Sequence, residues 1–208
     1  MNDSPPGSAP GAPAQVPLLN VANVLTVLRL VLVPVFIWLM VLPGDPARLA
    51  ATVVFVVAAL TDRLDGQLAR SRGLVTDFGK IVDPIADKAL TLSAFIMLSA
   101  DGRLWWWVTV VILVRELGIT VMRFFMLRRA VMAASRGGKL KTVLQMTGLI
   151  GLLAPWTMLL PRALAGGLTA LAYAAVAAAL VVTVVTGVDY VRQALSISRT
   201  GAGGDEAR

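Results

Sequence analysis

The stretch TDRLDGQLARSRGLVTDFGKIVDPIADKAL, residues 61–90, carries four aspartates arranged as two pairs. Asp62 and Asp65 stand three apart and Asp83 and Asp87 four apart, spacings that put each pair on one face of a helix. Gly66 and Ala69 continue the first stripe and Gly79 lies one turn before Asp83, so a second helix or a ligand can come close to the backbone there. Four carboxylates held together at neutral pH repel one another and raise one another's pKa unless positive charge sits between them. The chain has no histidine and no cysteine. Hard oxygen ligands remain, which point to Mg²⁺ or Mn²⁺, with two ions shared by the four acids. Such a pair suits phosphoryl transfer: the metals neutralise a diphosphate, and a free carboxylate accepts the proton of an attacking hydroxyl. A plainer reading stands beside it, in which the acids are charges near helix ends paired with Arg63, Arg70, Arg72, Lys80 and Lys88.

The elements that hold these residues are apolar. Of 208 residues 57% are hydrophobic and 15% charged, against about 25% charged in an average soluble domain, which excludes disorder and argues against a soluble globule. Apolar runs of about 20 residues recur, the length a bilayer-crossing helix needs. The pattern predicts an all-α integral membrane protein with six transmembrane helices, at roughly 25–42, 48–66, 80–99, 104–126, 142–160 and 164–190. Pro43 and Gly44, Gly73, Asp101 and Gly102, Gly137 and Gly138, and Pro161 punctuate them. Residues 1–19 form a Pro/Gly/Ala-rich tail expected to be disordered, residues 20–195 the six-helix domain, and residues 196–208 a polar C-terminal tail. The first apolar run has no cleavage site after it and is read as a retained helix.

Basic residues orient the chain. With the N-terminus in the cytoplasm, the outer loops hold Arg48, Arg103 and Arg162, and the inner ones Arg70, Arg72, Arg128, Arg129, Arg136, Lys139 and Lys141. Short cytoplasmic loops keep Lys and Arg, so both termini are placed inside, in an inner cell membrane. The net charge of +7 is read as this topology plus attraction to anionic lipid, with no role for nucleic acid. Trp105, Trp106 and Trp107 read as interface anchors, and Met146 with the Gly148–Gly151 region as helix packing. Asp62, Arg63, Asp65, Arg115, Glu116 and Arg123 fall near or inside apolar boundaries, where ionisable groups must face a polar cavity or one another.

The register Asp, two residues, Asp-Gly, two residues, Ala-Arg, eight residues, Gly, three residues, Asp, three residues, Asp resembles the signature of the CDP-alcohol phosphotransferase family. It is matched at Asp62, Asp65, Gly66, Ala69, Arg70, Gly79, Asp83 and Asp87. The resemblance implies a six-helix membrane enzyme, usually a homodimer, with a polar cavity that faces the cytoplasm. Such an enzyme transfers a phosphatidyl or similar group from a CDP-linked donor to an alcohol and releases CMP. It further implies that Asp62, Asp65 and Asp83 are metal ligands and that Asp87 is both ligand and general base. Gly66 and Ala69 would make room for the nucleotide and Arg70 would meet the donor's phosphates, with Asp62, Asn23 and Thr26 on the same donor side.

Three further stretches resemble the branch of that family that forms phosphatidylglycerophosphate from CDP-diacylglycerol and glycerol 3-phosphate. They are NVLTVLRLVLVP (residues 23–34), VRELGITVMRFFML (114–127) and GGKLKTVLQM (137–146). A phosphate dianion needs a basic pocket. Arg115 and Arg123, eight residues or about two helical turns apart, can supply it together with Lys139 and Lys141. Open beside this are plainer roles: Lys139 and Lys141 as topology residues, Asn23, Thr26 and Arg29 as polar groups at a helix start, and Glu116 as a partner that orients an arginine. Cardiolipin synthesis with phosphatidylglycerol as acceptor, an inositol-phosphate acceptor, and a small ion or proton transporter are the rival functions. A transporter gives no reason for Gly66, Ala69 and Gly79 at fixed offsets from the acids.

Overall fold

The structure, a computed structural model, describes the backbone of residues 21–72, 77–126 and 136–202, and the side chains of 24–61, 85–86, 88–121 and 140–188. Among the described residues it is all helical. Seven helices follow in order: α1 (Val21–Val41), α2 (Asp45–Arg72), α3 (Asp77–Ala100), α4 (Trp106–Met126), α5 (Arg136–Leu153), α6 (Trp156–Leu159) and α7 (Arg162–Ala202). Two stretches, Val24–Val41 and Arg162–Val188, are long and apolar enough to cross a membrane by length and composition. The expected tail at residues 1–19 lies outside the described residues.

The turns sit where the punctuation falls. Gly44 between α1 and α2 has φ +97° and Gly102 between α3 and α4 has φ +71°, left-handed conformations that a residue without Cβ adopts freely. Helix α4 then starts beside the three tryptophans, all more than half exposed, with Trp105 and Trp107 stacked at a centroid distance of 6.4 Å.

One expectation is corrected. The apolar run 142–160 is not one helix, because α5 stops at Leu153 and Pro155 precedes the single turn of α6. Proline lacks the N–H that would continue the ladder, and the last carbonyls of a helix then need other donors. Three side chains provide them in succession. The Trp156 indole donates to the Gly151 carbonyl at 2.7 Å, Arg103 to Leu152 at 3.4 Å, and Arg48 to Leu153 at 2.9 Å. Arg48 and Arg103 also pair with Asp101, at 2.6 and 3.1 Å, and the Tyr173 hydroxyl donates to the Arg103 carbonyl at 2.6 Å. The end of α5 is thereby tied to α2, to the α3–α4 turn and to α7. At the other extreme α7 continues past the expected limit at residue 190 to Ala202, so part of the polar C-terminal tail is helical.

The core joins α1, α2 and α3 through Phe36, Phe55, Leu90 and Phe95, with the Phe36 and Phe55 rings 5.7 Å apart, and extends through Ile112 to α5 and α7. Helices α5 and α7 pack backbone against side chain. A Cβ added at Gly148 would lie 2.6 Å from Val176, and one at Gly151 2.5 Å from the Cβ of Ala172, so only glycine admits this approach.

Candidate active site

Positions 62 and 65 fall within unbroken α2, and 83 and 87 within α3, so the backbone carries the helical register that the aspartate spacing requires. The side chains of Asp62, Asp65, Ala69, Arg70, Asp83 and Asp87, the surroundings of Gly66, and the side chains of Asn23, Arg123 and Lys139 lie outside the described residues.

On α1, Thr26 and Arg29 are three apart and thus on one face, with 1% and 0% of their surface exposed. They are inward-facing members of the helix, not polar groups at an exposed helix start.

The described part of the site is a cluster of charges drawn from three helices and braced by a fourth. Glu116 on α4, 3% exposed, is its centre. Its carboxylate accepts hydrogen bonds from the Lys141 ammonium of α5 and the Arg115 guanidinium, the latter at 2.9 Å, on one oxygen, and from the Lys88 ammonium of α3 on the other. Arg115 is fixed again from α7: its Nε donates to the Thr183 carbonyl at 3.2 Å and its second terminal nitrogen to the Thr186 hydroxyl at 2.6 Å. Gly187 leaves room for the Arg115 stem, since a Cβ there would stand 3.3 Å from its Cγ, a tight contact. Ionised groups withdrawn from water are tolerated only when they are paired and hydrogen-bonded. The cluster meets that condition with three cations on one carboxylate.

The structure brings two of the expected acceptor residues, Arg115 and Lys141, to one point. Lys141 is 7% exposed, buried rather than lying in solvent as a topology residue. Two members were undervalued in the sequence. The sequence offers Lys88 only as a partner of the aspartates in the plainer reading and Glu116 only as a partner of an arginine, whereas their contacts in the structure span 28 residues for Lys88 to Glu116 and 25 for Lys141 to Glu116. The available signal was composition: Lys88, Arg115 and Glu116 are charged residues inside apolar runs, and Lys141 is a cation at the edge of one.

A CDP-alcohol phosphatidyltransferase family model matches residues 19–187. The chain is 52% identical over 181 residues, 86% of its length and 83% of the relative's, to the probable phosphatidylglycerophosphate synthase of Mycobacterium tuberculosis strain H37Rv. It is 36% identical over 149 residues to the CDP-diacylglycerol--glycerol-3-phosphate 3-phosphatidyltransferase of Bacillus subtilis strain 168. To the protein of the same name from Yersinia enterocolitica it is 38% identical over 141 residues; in both cases 65% of this chain and 77% of the relative are covered.

Proposed function

The chain belongs to the CDP-alcohol phosphatidyltransferase family, and from that premise we propose that it condenses CDP-diacylglycerol with sn-glycerol 3-phosphate to give phosphatidylglycerophosphate and CMP. Relatives that carry the name of this reaction support the choice of substrates. The observation that carries the reading is the meeting of Arg115, Lys141 and Lys88 on one buried carboxylate, with Lys88 the next residue after Asp87 on α3. Lys88 and Asp87 belong to the same turn of α3, which puts the cluster and the group assigned as base at one level of the helix.

In this reading the protein spans the inner membrane six times, through α1 to α5 and α7, as a homodimer with its termini and polar cavity on the cytoplasmic side. The acyl chains of the donor stay in lipid while its head group enters the cavity. Asp62, Asp65, Asp83 and Asp87 fit a pair of hard divalent ions, because they are oxygen donors spaced for common faces of two continuous helices. When bound, Mg²⁺ or Mn²⁺ neutralises charge on the donor diphosphate. Gly66 and Ala69 leave room for the nucleotide, Asn23 and Thr26 line the donor side, and Arg70 meets the phosphates. Arg115, Lys141 and Lys88, with Arg123 and Lys139, hold the acceptor's phosphate by charge-assisted hydrogen bonds. Asp87 takes the proton of a glycerol hydroxyl, whose oxygen bonds to the β-phosphorus as the bond to the bridging oxygen breaks and CMP departs.

The test offers purified protein CDP-diacylglycerol with glycerol 3-phosphate, phosphatidylglycerol or inositol phosphate in separate reactions. CMP release is expected with the first alone, abolished by a chelator and restored by Mg²⁺ or Mn²⁺. Release with phosphatidylglycerol in its place contradicts the assignment of the acceptor.

A further inference from the structure

Gln145 lies four residues after Lys141 on α5 and shares its face. That face is the inward one, since Lys141, Gln145, Leu149 and Leu152 are all buried. Gln145, 4% exposed, therefore stands between the charges around Glu116 and the apolar core, about one turn deeper along α5 than Lys141. Side chains on a helix lean towards its N-terminus, so the carboxamide leans back towards the level of Lys141 and Glu116. Its Nε2 is buried and has no hydrogen-bond partner among the described residues. Glu116 does not serve as one: its oxygens accept from Lys141 and Arg115 on one side and from Lys88 on the other. A buried amide N–H without an acceptor is unfavourable, and folded proteins keep few of them. An apolar side chain of the same length would fill this place without that penalty.

We propose that Gln145 reads the non-reacting hydroxyl of the acceptor, the one at C2 of glycerol 3-phosphate, by donating a hydrogen bond to it from Nε2. This rests on the reading above that the acceptor's phosphate enters the Glu116 cluster. The cations assigned to that site, Arg123 and Lys139 included, answer the charged end of the acceptor. A carboxamide carries no charge and offers both a donor and an acceptor, which suits a hydroxyl. Two carbons separate the phosphate ester oxygen from that hydroxyl, a reach that one helical turn of about 5.4 Å matches. The amide has already lost its water in the folded protein. The bond formed on binding is thus worth more than an exchange of one partner for another. An alcohol without a hydroxyl at C2 leaves Nε2 unpaired and forgoes that gain.

The test uses the full-length protein in detergent with CDP-diacylglycerol and compares kcat/KM for sn-glycerol 3-phosphate with that for 3-hydroxypropyl phosphate. The second ester keeps the primary hydroxyl and the phosphate and lacks only the hydroxyl at C2. The wild-type protein is expected to favour glycerol 3-phosphate at least about tenfold. Gln145→Met keeps the length of the side chain and loses its polar atoms. In it the ratio should fall below about threefold, through a loss with glycerol 3-phosphate alone, while 3-hydroxypropyl phosphate stays within about threefold of its wild-type value. The melting temperature without substrate is a second readout: Nε2 has no partner to lose, so Gln145→Met should melt no lower than the wild type. Equal use of the two esters by the wild-type protein overturns the proposal without any variant and leaves the functional reading standing. A Gln145→Met protein that keeps the wild-type ratio overturns it as well. So does one that melts lower and loses both esters alike, which makes Gln145 a structural residue. CMP release with phosphatidylglycerol and with neither ester contradicts the reading of the acceptor, and the proposal with it.

Discussion

Two groups of charged side chains tie helices together in this protein, and they use their cations differently. Near the start of α2 and the end of α3, Arg48 and Arg103 share Asp101, whose side chain is 41% exposed, and also donate to the carbonyls of Leu153 and Leu152. Thirteen residues back along α3, roughly 20 Å of helix, Lys88 joins Arg115 and Lys141 on a carboxylate that is 3% exposed. The first group caps a helix that proline has ended. In the second, the two lysines have Glu116 as their common partner, so their ammonium groups are only partly committed among the described residues. Arginine, with its planar fork, suits a fixed clamp on carbonyls; lysine, a point charge on a flexible stem, suits a site whose occupant changes. An excess of basic over acidic groups thus reads as architecture in one place and as a binding site in the other.

The contrast breaks most sharply through turnover. Asp87→Asn, adjacent to the Lys88 cluster, is expected to lower CMP release about 10²- to 10⁴-fold, the range of a lost general base, with an unchanged melting temperature in detergent. Near-normal turnover removes Asp87 from that role. At the other cluster the expectation is reversed. Arg48→Ala leaves the Leu153 carbonyl without its donor and Asp101 with Arg103 alone, and should destabilise the protein by about 1–3 kcal/mol, seen as a lower melting temperature, while the KM for glycerol 3-phosphate stays within about twofold. A raised KM would mean that the two clusters are coupled. Asp101→Asn gives the smallest effect. Asp101 and Arg103 are both well exposed, so the loss in thermal unfolding should be about 0–1 kcal/mol; a larger loss would mark the Asp101 cluster as a buried one.

Helix positions were mostly legible in the sequence because apolar length and Gly/Pro punctuation act locally: Gly44 and Gly102 mark turns that the structure places at positive φ. The ends of the last two apolar stretches were not. Hydropathy sees residues 142–160 as continuous and is blind to the missing N–H of Pro155. It also ends the final helix near residue 190, where polar residues of adequate helix propensity carry α7 on to Ala202. The aspartate register was legible because each pair lies within a single helix. The Glu116 cluster was legible only in part. Arg115 and Lys141 stood out as basic residues in apolar surroundings, but their common counter-ion and the inclusion of Lys88 depend on how α3, α4 and α5 pack. No short-range spacing encodes that.

The assignment of the Lys88, Arg115 and Lys141 cluster to the acceptor's phosphate is tested most directly by saturation kinetics of Lys141→Ala, with each substrate varied in turn. The KM for glycerol 3-phosphate should rise about 10- to 100-fold and the KM for CDP-diacylglycerol stay within about twofold, the signature of a lost ground-state contact to one substrate. A variant that loses affinity for CDP-diacylglycerol and keeps it for glycerol 3-phosphate would put the cluster on the donor side and contradict the assignment.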